Sequence, residues 1–144
     1  MTTERPAPSF AQQRIIYFAI LFSVVMFIVA VAVLQQANEG RGLAVEPIPA
    51  LDSASIVLGA VLASAAFFVR GPLRRRAEQA TGPARAQARF FATLVPLALL
   101  EGGCLLGIVT WMLNGTMVPS LVVALVLLAG AIAIVPFSDP DAGN

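Results

Sequence analysis

Along the chain, long apolar runs alternate with shorter polar stretches, and four such runs stand out. Residues 15–34 carry no charge over 20 positions. At about 1.5 Å per helical residue, that covers a bilayer hydrocarbon core of about 30 Å. Residues 53–69 form the shortest run, at 17 positions, and 90–113 the longest, at 24, broken only by Glu101. Residues 118–135 close before Pro136 and the acidic segment Ser138-Asp139-Pro140-Asp141. Each run is near or above membrane-helix length. The pattern predicts an all-α polytopic membrane protein, a four-transmembrane-helix bundle with spans 15–34, 53–69, 90–113 and 118–135. The bundle would occupy residues 15–137, between a disordered N-terminal segment 1–14 and a disordered tail 138–144. The first run exceeds the apolar stretch of a signal peptide, and no small-x-small site follows in Gln35-Gln36-Ala37-Asn38. It therefore reads as a retained anchor.

The stretches between the runs set the expected orientation. Between the second and third lie Arg70, Arg74, Arg75, Arg76, Arg85 and Arg89 against Glu78 alone, whereas Arg41 faces Glu39, Glu46 and Asp52 between the first and second. Arginine is retained on the cytoplasmic side. That places the arginine-rich connection inside, with Arg5 and Arg14 of the N-terminal segment, and an even number of spans brings the C-terminus inside as well. The implied location is a cell (inner) membrane, crossed several times. Gly71-Pro72 and Gly82-Pro83 are expected to punctuate the arginine-rich loop. Asp52 or Ser53 is expected to cap the second helix, and Pro119 to sit in the first turn of the fourth. Tyr17 and Trp111 fall near opposite faces, as belt aromatics do.

Composition narrows the chemistry. The chain is 58% hydrophobic and 12% charged, about half the charge of a soluble domain, so most of its surface suits lipid. A net charge of +1 points to no nucleic-acid partner. Histidine is absent and Cys104 is the single cysteine, which removes the commonest general base and any cysteine-cluster metal site. No catalytic residues, metal or cofactor are expected. Asn114-Gly115-Thr116 matches a glycosylation pattern, but Asn-Gly in a short connection is good turn chemistry.

Helices in lipid associate by close packing and interhelical hydrogen bonds, so small residues mark candidate contact faces. These are Ser55, Gly59 and Ala63 in the second run, Gly103 and Gly107 in the third, and Gly130 in the fourth. The first run is rich in Phe, Ile and Val and is expected to lie at the periphery.

Glu101 lies 11 residues past Phe90 and 12 before Leu113, in mid-span. A charged side chain at that depth costs at least ~2.5–3.5 kcal/mol, and the span offers no arginine or lysine to pair with it. Ser23 and Ser64 fall at similar depth in other runs, and Cys104 shares its helix face, so these form the candidate hydrogen-bonding or proton/ion site with Glu101. Pro96 removes the backbone hydrogen bond to Ala92. With Gly102 and Gly103 it makes this stretch a candidate hinge.

The second and third runs together resemble the proteolipid (c) subunit of rotary ATP synthases. The small-residue helix is represented by residues 58–66, the polar loop by Arg74–Arg76, and the carboxylate helix by Leu99-Leu100-Glu101 followed by Gly107. The resemblance implies a proton-carrying role for Glu101. It covers about 60 residues; the family's alternate glycines and loop Arg-Gln-Pro are missing. Leu99-Leu100-Glu101-Gly102 is also similar to a segment of uncharacterised bacterial four-helix membrane proteins. Arg74, Arg75 and Arg76 serve as the topology signal, or bind anionic lipid headgroups. Two functions are carried forward. In the first, a non-catalytic membrane protein, homo-oligomeric or accessory to a larger membrane complex, uses Glu101 as a buried hydrogen-bonding group. In the second, the protein handles protons or cations, with Glu101 as the titrating site.

Overall fold

The computed structural model describes residues 9–136, which form four helices: α1 (Phe10–Ala37), α2 (Pro49–Gln79), α3 (Pro83–Asn114) and α4 (Ser120–Ile134). No strand occurs among the described residues. α1, α2 and α3 are each long and apolar enough to cross a membrane, while α4 is a shorter apolar helix of 15 residues. The outward faces carry large apolar side chains, with Phe68 85% and Phe22 65% exposed. Water disfavours such a surface and hydrocarbon accommodates it.

α3 is the central post. α2 packs along it as a hairpin, α4 returns along it, and α1 lies on it from outside, touching α3 and the edge of α4. α1 buries a single seam, Gln13, Tyr17, Val24, Val31 and Gln35, with Ile20 and Phe27 partly buried between them. From Gln13 to Val31 the alternating steps of four and three are a heptad repeat, which keeps one narrow stripe facing a neighbouring helix. The core of Leu97, Leu100, Cys104, Ile108, Ala124 and Ala131 sits between α3 and α4.

Backbones approach closely where the small residues fall. Gly103 faces Gly59: a Cβ on Gly103 would stand 3.8 Å from Gly59 Cα and 2.6 Å from Leu127 Cδ1. At Gly107 a Cβ would meet backbone, the Ser120 carbonyl at 2.8 Å. Ser55 is fully buried and Ala63 packs at the core's margin. Gly130 has room, with Leu100 Cδ1 at 3.8 Å.

Several boundaries differ from the pattern's expectation. α1 begins at Phe10, so residues 10–14 are helical, because Ser9 and Gln12 form a reciprocal capping box. The expected disorder of residues 1–8 and 138–144 lies outside the described residues. The arginine-rich stretch is not a loop. α2 runs through Gly71 and Pro72 to Gln79 and the connection shrinks to Ala80–Gly82. Proline removes one backbone hydrogen bond, but the following Leu-Arg-Arg-Arg-Ala-Glu-Gln is strongly helix-forming, and Arg74 pairs with Glu78 one turn on. α2 starts one turn before Asp52, with Pro49 at its first position and no side-chain cap. Pro119 stands just before α4 rather than inside it. Tyr17 and Trp111 are buried within the bundle, at 1% and 3% exposure, rather than set in an outer belt.

The glycine contacts set an order of cost. Gly107→Ala drives a methyl into backbone that cannot rotate away and is expected to destabilise by about 1–3 kcal/mol. Gly103→Ala meets only the end of a leucine side chain and should cost less. Gly130→Ala should be close to neutral. Thermal unfolding of the three variants in one detergent checks the order.

Candidate functional site

Three polar places break the apolar bundle: the C-terminal end of α3, its middle, and the arginine end of the α2–α3 hairpin. The first is the most connected. The last four carbonyls of a helix lack intrahelical partners, and in hydrocarbon no water supplies them. Here protein groups supply three of them, those of Trp111, Met112 and Leu113. Gln35 Nε2 donates to the carbonyls of Trp111 and Met112, both at 3.1 Å. The α1–α2 connection crosses the helix end, and the N–H groups of Leu43 and Ala44 donate to Met112 and Leu113 at 3.1 and 3.0 Å. That crossing is possible because Gly42 lies directly on the Leu113 carbonyl, where a Cβ would collide. Gly115, at φ +75°, turns the chain sharply beneath it.

Asn114 then joins α3 to α2, and Asp52 carries the link on to α4. Its Oδ1 accepts from the Ile48 N–H at 3.0 Å, while Nδ2 donates to the Ile48 carbonyl at 3.1 Å and to Asp52 Oδ2 at 3.2 Å. Ser120 Oγ donates to Asp52 Oδ1 at 2.8 Å. Asn114 therefore does from a neighbouring helix what an N-cap side chain does locally, and Asp52, first considered as a cap, accepts from the end of α3 and the start of α4 instead. Sequence reasoning missed this group because it treated Asp52 as a local cap and Asn114 as a turn residue, and gave Ser120 no role. The available signal was that all three polar residues sit at the same end of successive apolar runs.

In the middle of α3, Glu101 is half-buried on the flank facing α1. Arg89 and Asn114 lie 12 and 13 residues away on the same helix, about 18–20 Å in each direction. Ser23 Oγ donates to Glu101 Oε1 at 3.3 Å and to the Ile20 carbonyl at 2.7 Å. One hydroxyl hydrogen cannot serve both acceptors, and the shorter distance assigns it to Ile20. The hydrogen-bonding capacity of Glu101 is thus largely unmet among the described residues. Ser64 is not brought to Glu101; it is exposed on α2 and donates to the Ala60 carbonyl at 2.8 Å. Cys104 is fully buried and turned toward α4, with Sγ 3.3 Å from the Ala124 carbonyl. α3 continues as one helix through Pro96, which is buried. Gly102 is exposed with open space about it, whereas Gly103 is packed against α2 and α4.

At the hairpin end, Arg70, Arg74 and Arg89 line a cavity of about 270 Å³ together with Glu78 and Thr93. Arg75 and Arg76, grouped with Arg74 by the sequence, are exposed and outside that lining. No group of three or more His, Cys, Asp or Glu side chains stands together among the described residues. The fold and its polar places thus define an all-helical bundle with three membrane-length helices. No protein family, curated protein or solved structure matches the chain.

Asn114→Ala removes three hydrogen bonds and strands the Ile48 N–H, so a loss of about 1–3 kcal/mol is expected. Faster amide exchange should appear at residues 48–52 first. Ser120→Ala, which deletes one bond, should cost about 1 kcal/mol. Hydrogen exchange in detergent micelles measures both.

Proposed function

We propose that the chain is a non-catalytic, four-span cell-membrane protein that assembles laterally, with a second copy or within a larger membrane complex, through the flank of α1 and α3 bearing Glu101. The single observation carrying this is the half-buried carboxyl at mid-helix, whose one hydrogen-bond partner among the described residues, Ser23, gives its hydrogen preferentially to Ile20. A carboxyl in hydrocarbon with spare hydrogen-bonding capacity favours a second polypeptide that supplies the missing donor or acceptor. Beside it, Phe22 and Gly102 leave the flank open.

The four-span arrangement has its own support. α4 is short, but its first residue bonds Asp52 at one polar end, while Ile134 and Pro136 line the arginine cavity at the other. It runs the full distance between the polar ends that α2 and α3 define. Arg14, at the start of α1, and the arginines of the α2–α3 hairpin fit a cytoplasmic side, with Glu39, Glu46 and Asp52 opposite.

The test places a photo-crosslinking amino acid at position 102 in native membranes, with position 126 on α4 as a lipid-facing control. The expected result is a discrete protein adduct from 102 that persists in Glu101→Gln, which keeps the hydrogen bonds, and disappears in Glu101→Leu. The adduct's mass separates a self-pair from a larger complex. Lipid adducts alone from position 102 would end this reading. Selective, pH-dependent carbodiimide labelling of Glu101 would then favour a titrating carboxyl.

A further inference from the structure

We propose that the junction between the end of α1 and the end of α3 binds an internal water molecule, which accepts a hydrogen bond from Trp111 Nε1 and donates one to Gln35 Oε1. The proposal goes beyond the lateral-assembly reading and does not rest on any role of Glu101.

Two polar atoms of opposite kind belong to this junction. Gln35 and Trp111 are buried, at 6% and 3% exposure. Among the described residues, Gln35 Oε1 and Trp111 Nε1 are nevertheless without a hydrogen-bond partner. The two residues are neighbours: Gln35 Nε2, in the same amide as the unpartnered oxygen, lies 3.1 Å from the Trp111 carbonyl. Burying a donor or an acceptor without a partner is unfavourable. Hydrocarbon around a helix end offers no partner in exchange.

The Gln35 amide cannot resolve this by flipping. Its Nε2 uses both hydrogens, on the carbonyls of Trp111 and Met112. A flip would set Oε1 against those two carbonyl oxygens, acceptor against acceptor. The backbone amides that cross the helix end are already engaged. Those of Leu43 and Ala44 donate to Met112 and Leu113, and that of Gly115 donates to Trp111. An indole carries one donor and no acceptor, so Trp111 Nε1 needs an acceptor from elsewhere.

The pair of atoms selects the class of ligand. A cation suits Oε1 but is repelled by the indole N–H, and an anion meets the reverse problem. A neutral molecule that both donates and accepts serves the two together, and the burial of both atoms excludes a large one. Water is the smallest such molecule, and buried waters in proteins bond polar groups that are otherwise unpaired.

Trp111 is the single tryptophan, so the chain gives one indole N–H signal. The experiment measures magnetisation transfer from water to that proton in the purified, ¹⁵N-labelled full chain in detergent micelles. Transfer of opposite sign in NOE and ROE spectra is expected, the signature of a bound water; hydrogen exchange gives the same sign in both. Gln35→Met keeps the side-chain length, removes the acceptor and should abolish the transfer. Gln36→Met, at the exposed neighbouring position, should leave it unchanged. The unmodified chain decides the matter alone if Gln35→Met does not fold. Absence of transfer would overturn the proposal, including the case of an indole signal shifted downfield by a direct bond to Gln35. Transfer of the exchange type, or transfer that survives Gln35→Met, would overturn it too.

Discussion

A helix that ends in or near hydrocarbon leaves four carbonyls without partners, and no water is at hand to take them. The far end of α3 is built around that constraint. Gln35, the Leu43 and Ala44 amides and the Gly115 turn between them engage the carbonyls of Trp111, Met112 and Leu113. Doing so fixes where α1 ends, routes the α1–α2 connection over the helix terminus, and delivers α2 beside Asn114. Asn114 and Asp52 then hold the starts of α2 and α4 to the same point. One solvation problem thereby sets the relative placement of all four helices at that end.

Down the rest of the bundle the forces are different. Hydrophobic exclusion does not drive helices together when lipid is as apolar as the side chains, so approach distance matters most. Gly59, Gly103 and Gly107 allow α2 and α4 to lie close on α3. Hydroxyls along the spans, Ser55, Ser64 and Thr110, return their hydrogens to carbonyls of their own helices, which satisfies them without committing them to a partner helix. α1 lacks close glycine contacts and adheres through one heptad seam, strengthened at its ends by the Tyr17–Phe90 stacking and the Gln35 amide. Its weaker attachment is why the flank it shares with α3 can present a polar group outward.

Among the described residues, Glu101 is left with little hydrogen bonding, and Gln35 Oε1 and Trp111 Nε1 are buried without a partner. Glu101 is under-bonded because Ser23 gives its one hydrogen to the nearer Ile20 carbonyl. The Glu101 carboxyl favours a lateral protein contact at mid-depth.

Four apolar runs were enough to determine that the chain is all-helical and where its helices lie, because helix length and hydrocarbon thickness are tied by a fixed rise per residue. Glu101 stood out for the same reason, a charge in the middle of such a run. Helix ends were less legible: Ser9 with Gln12 extended α1, and the helix-forming residues after Pro72 turned an expected loop into helix. Which polar residues meet was decided only by the tertiary structure. Ser23 reaches Glu101 while Ser64 does not, and Arg70 and Arg89 converge while Arg75 and Arg76 point away. The sequence encodes depth along each helix, but the rotation of each helix about its axis depends on how the helices pack, and it is rotation that chooses a side chain's neighbours.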